Sequence, residues 1–170
     1  MTGFDPVKAA LDVTLKTKHL IDIVQPEKAV ALSRRAKELP TLILQAGLIP
    51  ALTFYLSKVE NGEVYKLILE ALEEKAKETE LKKFDKEIEK EVKEEGKGYT
   101  ALLSISAYTL KQLANVYKIE KCENINTIAE LVECLYEIRS DRSKEVVLEK
   151  QFIKFMLEVK KLFDAFFKEK

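Results

Sequence analysis

Nineteen consecutive uncharged residues, Leu39 to Ser57, lie in a chain of 170 residues of which 34% are charged. The length of this run is close to the about 20 residues that a membrane-spanning helix needs. The run also contains two prolines, a glycine and a glutamine, and no second segment of this kind accompanies it. These features favour a helix at the centre of a helical bundle over a membrane span.

The fold class is predicted to be all-α. Apolar residues recur at helical spacing along most of the chain, and strictly alternating runs of β-branched residues are absent. At this length we expect a single domain over residues 1–170, a bundle of about seven helices. Asp5 followed by Pro6 is typical of a helix start and predicts a first helix to about Val24. The apolar stripe of this helix is expected to comprise Val7, Ala10, Leu11, Thr14, Leu15 and Leu20.

Prolines and a glycine set the expected helix boundaries in the next part of the chain. A second helix, opened by Pro26, should end before Pro40, because the residue ahead of a proline is pushed out of helical geometry. The uncharged run then forms a buried central helix over 39–60, with a local bend where Pro50 removes one hydrogen bond. Gly47 is expected to allow close approach of another backbone.

Residues 63–95 contain no glycine or proline and are dense in glutamate and lysine. Many of these charges lie three or four positions apart, a spacing that supports exposed helix. The segment is predicted to be a charged helical hairpin, with a break near Thr79 to Leu81, or one long projecting helix. Residues 63–97 would then be a charged insertion within the single domain.

Three further helices are expected, at about 99–117, 127–138 and 144–167. Thr127 and Glu130 match a capping box, in which each side chain accepts a hydrogen bond at the helix start. The stretch from Ser140 to Ser143 is predicted to be a turn. The inward face of the last helix is expected to comprise Val147, Leu148, Phe152, Phe155, Met156, Val159, Leu162, Phe163 and Phe166.

Enzymatic chemistry finds little support in the sequence. The single histidine, His19, has no second histidine or cysteine at ligand spacing, and no nucleotide-binding, hydrolase or metalloprotease motif is present. We therefore expect no catalytic residues, no metal and no cofactor.

The sequence has only two cysteines, Cys122 and Cys134, which are twelve positions apart. We interpret them as reduced thiols. Charges interrupt the N-terminal segment where a secretory signal would be apolar, so we expect a cytoplasmic protein.

Charge restricts the partners of the chain. Its 29 basic residues balance its 29 acidic residues, which excludes a nucleic-acid binder held by bulk positive charge. All four arginines, however, fall in two small clusters, Arg34 with Arg35 and Arg139 with Arg142. The planar guanidinium suits phosphate oxygens. Helix-end dipole partners and surface ion pairs are the alternative interpretation.

The segment KELPTLILQAGLIPALTFYLSK resembles the signature of the small subunit of the type III-B, or Cmr, CRISPR effector complex. The similarity is specific over these residues and elsewhere extends to the helix order and the long amphipathic last helix. The matching positions are Lys37, Leu39, Pro40, Ile43, Gln45, Gly47, Leu48, Leu52, Phe54 and Lys58.

The resemblance implies a non-catalytic, all-helical protein that stacks in copies within a ribonucleoprotein, beside the other effector subunits. Such a protein would line the channel for target RNA and contact its backbone without sequence specificity, since guide pairing supplies the specificity. A self-associating helical scaffold with no nucleic-acid role is the alternative function. From charge clustering and nearness to the matched segment, the expected RNA contacts are Arg34, Arg35, Lys37 and Lys58, followed by Arg139 and Arg142.

Overall fold

The computed structural model of the chain describes residues 3–24, 29–77, 79–80 and 94–167. In these ranges it contains seven α-helices, one 3₁₀ turn and no strand, which confirms the predicted all-α bundle. The helices are α1 (Pro6–Val24), α2 (Ala29–Ala46), α3 (Leu48–Ser57), α4 (Gly62–Leu72), α5 (Glu94–Tyr117), α6 (Ile128–Ser140) and α7 (Arg142–Phe166), and the 3₁₀ turn is Glu120–Cys122.

Two long helices organise the core. α7 packs mainly against α1 and α2, and α5 packs mainly against α2 and α4. The largest side chains that α7 buries are Phe152, Phe155 and Phe163. They belong to one continuous hydrophobic cluster, to which every helix contributes. The short helix α3 lies against α2, α5 and α7.

Two predicted helix starts are confirmed. Oδ1 of Asp5 accepts hydrogen bonds from the backbone N–H groups of Val7 and Lys8, both at 3.1 Å. Thr127 and Glu130 form the expected capping box at the start of α6. Both caps satisfy backbone donors that have no partner within the helix.

The uncharged run is divided between two helices, so the predicted single helix over 39–60 is wrong in its boundaries. α2 continues through Pro40 to Ala46, and the break falls at Gly47, whose φ of 95° lies in the left-handed region. Pro50 lies in the first turn of α3, where a helix does not use the missing N–H. A Cβ added at Gly47 would make only ordinary contacts, so glycine is favoured there by backbone conformation rather than by close packing.

The run is also not buried on every side, because α2 and α3 fold into an amphipathic hairpin. Leu48, Leu52 and Tyr55 are buried, whereas Leu44 is 65% exposed and Phe54 is 44% exposed. Among the described residues, no helix combines the length and the hydrophobicity that crossing a membrane requires.

The first part of the segment predicted as a charged projection belongs to the core. α4 packs against α5 and buries Val64, Tyr65, Leu69 and Leu72. The Tyr65 hydroxyl donates a 2.6 Å hydrogen bond to the carbonyl of Ile125. Because α4 ends at Leu72, the helix is interrupted earlier than at the predicted break near Thr79 to Leu81. The predicted single long helix over 63–95 is therefore wrong. Residues 81–93 lie outside the described residues, so the predicted helical hairpin remains a prediction.

Helix α1 packs through small side chains, so the predicted apolar stripe is confirmed for Ala10 and Thr14 but wrong for three of its larger members. Its predicted members Val7, Leu11 and Leu15 are exposed and form a row at intervals of four residues. Val147 and Phe166 of α7, also predicted to face inward, are likewise exposed. Small residues let two helices approach closely, and this contact with α7 places the larger apolar side chains of α1 outside. Over residues 6–20 of α1, the buried residues are Ala9, Ala10, Val13, Thr14 and Thr17.

Cys122 and Cys134 form a disulfide, which corrects the prediction of reduced thiols. Lys118, with a φ of 55°, terminates α5, and the 3₁₀ turn then lies against α6. This path brings the two Cα atoms to 4.7 Å, within the range that a disulfide bridges. Spacing in the sequence could not show this, because the proximity depends on how the turn returns to α6.

Candidate nucleic-acid interface

Arg35 of α2 is packed against an aromatic ring. Its Cζ lies 3.9 Å from the centroid of the Tyr99 ring, and Nη1 pairs with Glu38 at 2.7 Å. The negative face of an aromatic ring attracts such a cation. Since the side chain is only 11% exposed, Arg35 offers little of its surface to a ligand and instead positions Tyr99.

Tyr99 belongs to an aromatic cluster, formed with Phe54 and Tyr55, where α3 meets α5. The Tyr99 centroid lies 5.0 Å from that of Tyr55 and 6.0 Å from that of Phe54, with both pairs close to edge-to-face. The Tyr55 hydroxyl donates a 3.0 Å hydrogen bond to the carbonyl of Arg35. Burial raises the pKa of Tyr55 well above its ordinary value, so this donor keeps its proton. The cluster is therefore anchored to α2.

Lys58 lies at the other side of the aromatic cluster. It follows α3 directly, is exposed, and places Nζ 5.3 Å from the centroid of the Phe54 ring. Arg34, also exposed, is the neighbour of Arg35 on α2. The structure thus brings two of the predicted residues, Arg35 and Lys58, to one cluster of aromatic rings.

Lys37 contacts the end of α7 instead. Its Nζ lies 2.9 Å from Oδ1 of Asp164, and both side chains are half-exposed. A pair this exposed is weak and is readily exchanged for another anion. Lys37 thus stays accessible to a phosphate.

Arg139 and Arg142 both bind a buried carboxylate. Arg139 Nη2 lies 3.2 Å from Oε1 of Glu145, and Arg142 Nη1 lies 2.7 Å from Oε2. Glu145 is only 3% exposed, so these two cations compensate a charge that would otherwise be costly to bury. Both arginines thus have a structural role at the junction of α6 and α7.

Lys37, from the first group of predicted residues, lies far from Arg139 and Arg142, which form the second group. Lys37 pairs with Asp164 and the two later arginines with Glu145, and both acids are on α7. Nineteen residues of helix separate them, a distance of about 28 Å. The candidate interface is therefore the surface around Phe54, Tyr99 and Lys58, and Arg139 with Arg142 form a separate site.

Phe54 and Tyr99 were not among the predicted site residues. A signal for Phe54 exists, since an aromatic residue four positions before a lysine shares a helix face with it. Tyr99 gave no such signal, because it reaches the site from a helix that is distant in the sequence.

His19 is exposed on α1. Among the described residues, no group of three histidine, cysteine, aspartate or glutamate residues is arranged to hold a metal ion.

Comparison with known proteins adds one finding. A family model described as CRISPR-associated protein (Cas_Cmr5) matches residues 15–117. This range includes the aromatic cluster, Arg34, Arg35, Lys37 and Lys58, whereas Arg139 and Arg142 lie beyond it. No curated protein and no solved structure matches the chain.

Proposed function

Because the chain belongs to the Cas_Cmr5 family of CRISPR-associated proteins, we propose that it stacks in copies in the Cmr complex and contacts RNA without reading base sequence. The family match carries this proposal, since it supports a small subunit of that complex. In this role the chain is non-catalytic, works in the cytoplasm, and has the other effector subunits, its own copies and guide or target RNA as partners.

Arg34 and Lys58 are the main phosphate contacts in this proposal. Both are exposed, and Lys58 adjoins the aromatic cluster. Lys37 joins them if phosphate displaces Asp164, and Arg35 contributes the small part of its guanidinium that is accessible. Arg139 and Arg142 form a second contact, in which their bond to Glu145 fixes the guanidinium groups in place.

Balanced charge is compatible with this role. A chain with 29 basic and 29 acidic residues has no bulk attraction for RNA, so each copy contributes only a few contacts. Copies that stand in register make the second and later contacts intramolecular, which raises the combined affinity. Phosphate contacts of this kind position the RNA and carry no sequence information.

Protein contacts are supported by the outer face of α1. Val7, Leu11 and Leu15 are each about half exposed and follow one another along the helix. Contiguous apolar surface on a folded protein commonly marks a contact with another protein. We propose that subunit packing in the Cmr complex covers this face.

The proposal is tested by exchanging all copies in a reconstituted Cmr complex for the double variant Arg34→Gln, Lys58→Gln. For each phosphate that is no longer neutralised, the slope of log affinity against log salt should fall by about 0.7–0.9. Lys150→Gln, an exposed lysine of α7, is the matched control and should leave the slope unchanged. An unaltered slope in the double variant contradicts the RNA contact.

The alternative function is a self-associating helical scaffold without RNA, and the exposed face of α1 is the observation that favours it. Co-purification separates the two functions. Guide RNA and effector subunits recovered with the chain support the proposal, whereas copies of the chain alone support the scaffold.

A further inference from the structure

Phe54 combines exposure with a fixed orientation. Phe54 is 44% exposed, although it lies in an uncharged segment in which its neighbours Leu52 and Tyr55 are buried. The ring packs against Tyr99 at 6.0 Å with an interplanar angle of 81°, and against Tyr55 at 6.1 Å. These contacts cover part of the ring and leave the rest accessible from solvent.

The surroundings of Phe54 are cationic and polar. Lys58 lies one turn later on the same side, with Nζ 5.3 Å from the ring centroid. Thr53 and Ser57 are exposed, and each hydroxyl donates to a carbonyl of its own helix. Behind the ring, Arg35 stacks on Tyr99. On this face of α3 the other exposed apolar residue is Pro50, four positions before Phe54, and the remaining borders of the ring are hydroxyls and a lysine. A protein-binding patch would be more continuously apolar.

We propose that Phe54 is a stacking platform for an unpaired RNA base and that Lys58 binds the adjoining phosphate. This inference rests on the proposed function and specifies the ligand at its site. Aromatic rings beside lysine or arginine are the arrangement with which proteins bind single-stranded nucleic acid, and every base has a π-face that such a ring accepts. The contact is therefore tolerant of sequence. Lys58 is exposed and flexible, so its ammonium moves from the ring to the phosphate when a base arrives.

Ring-current shifts in NMR test the stacking directly. The full chain, with phenylalanine rings labelled, is titrated with a single-stranded oligoadenylate of about ten nucleotides at low salt. A stacked adenine should move the Phe54 ring protons upfield, whereas those of Phe152, which is fully buried and cannot meet a base, should not move. An inorganic polyphosphate of similar charge should leave the Phe54 ring signals in place, because it offers charge without a base.

Substitution provides the second measurement. Phe54→Leu keeps an apolar side chain and removes the ring, and it should weaken oligoadenylate binding at least about five-fold. Phe54→Tyr keeps the ring and should retain the affinity. Leu15→Ala, which removes exposed apolar surface from α1, is the control and should bind as the unsubstituted chain does.

The inference is overturned if oligoadenylate leaves the Phe54 signals unshifted, or if polyphosphate shifts them equally. It is also overturned if Phe54→Leu binds oligoadenylate normally but no longer assembles with the other subunits, since Phe54 would then be a protein contact. Failure of the proposed function is distinct, because the salt slope of the Cmr complex depends on Arg34 and Lys58 whether or not a base stacks on Phe54.

Discussion

Glu149 of α7 caps the N-terminus of α3 by accepting a 3.1 Å hydrogen bond from the backbone N–H of Leu48. The capping position itself is occupied by Gly47, which has no side chain to do this. A carboxylate at a helix N-terminus also interacts favourably with the helix dipole. Glu149 on α7 thus supplies the side-chain cap that Gly47 cannot provide.

Glu149→Ala should lower the free energy of unfolding by about 1 kcal/mol, the usual cost of removing a helix cap. Glu149→Gln keeps an acceptor oxygen and should cost less. Urea unfolding monitored by circular dichroism measures both changes. Glu137→Ala, an exposed glutamate of α6, is the control, and an equal loss there would show that the effect is not specific to the cap.

The carboxylate of Glu73 should make the free energy of unfolding depend on pH. Burial disfavours its charged form, but hydrogen bonds from Lys111 at 2.7 Å and Lys75 at 2.8 Å outweigh this and lower the pKa of Glu73 from its ordinary value of 4.5. A lowered pKa in the folded state stabilises the protein above the unfolded pKa, and this stabilisation is lost as the pH falls through the folded pKa.

The corresponding variant is Glu73→Gln, which should be less stable than the unsubstituted chain by about 1 kcal/mol at neutral pH. The difference should narrow as the pH falls from 4.5, the ordinary pKa, through the lowered pKa of the folded state, below which both chains carry a neutral group. Urea unfolding across this pH range measures the gap. A gap that is constant with pH contradicts the role of the charge, and Glu133→Gln on the exposed face of α6 serves as control.

The disulfide should stabilise the chain by restricting its unfolded state. Cys122 and Cys134 are 12 positions apart, and closing a loop of that size contributes about 3 kcal/mol. The free energy of unfolding should fall by this amount when a reductant is present. A chain with both cysteines replaced by alanine should already be less stable and should not respond to reductant. Equal stability with and without reductant in the unsubstituted chain would contradict the prediction.

Lys118 is a site where glycine should increase stability. Its φ of 55° is in the left-handed region, and Ile119 N–H donates to the carbonyl of Ala114, which closes the C-terminus of α5. A side chain disfavours this conformation and glycine does not. Lys118→Gly should raise the free energy of unfolding by up to about 1 kcal/mol, measured by thermal and urea denaturation. Lys121→Gly in the adjacent 3₁₀ turn should instead be neutral or destabilising.

Local chemistry made much of the fold predictable. Asp5 and Thr127 cap helices through contacts two or three residues away, and such contacts are visible in a sequence. The boundary between α2 and α3 was harder to predict from the sequence. Pro40 and Pro50 are both acceptable in a first helical turn, and what distinguishes them is the backbone conformation of Gly47 together with an acceptor on α7.

The candidate site shows the same division. Arg34 and Lys58, selected from charge clustering and nearness to the matched segment, are exposed, and their contact with RNA remains a prediction. The packing of Arg35 on Tyr99 and the binding of Arg139 and Arg142 to Glu145 depend on how separate helices meet. Composition identifies which side chains carry positive charge, whereas tertiary packing decides which of those charges are already engaged.

Gly47, between α2 and α3, determines where residues further along α3 are placed. Phe54 is seven residues beyond Gly47, about 10 Å along the axis of α3. A residue that shifted the backbone at this hinge would swing the aromatic ring and Lys58 together away from Arg35, with every side chain of the interface still present. An inactive variant could in this way arise from a position that contacts no ligand.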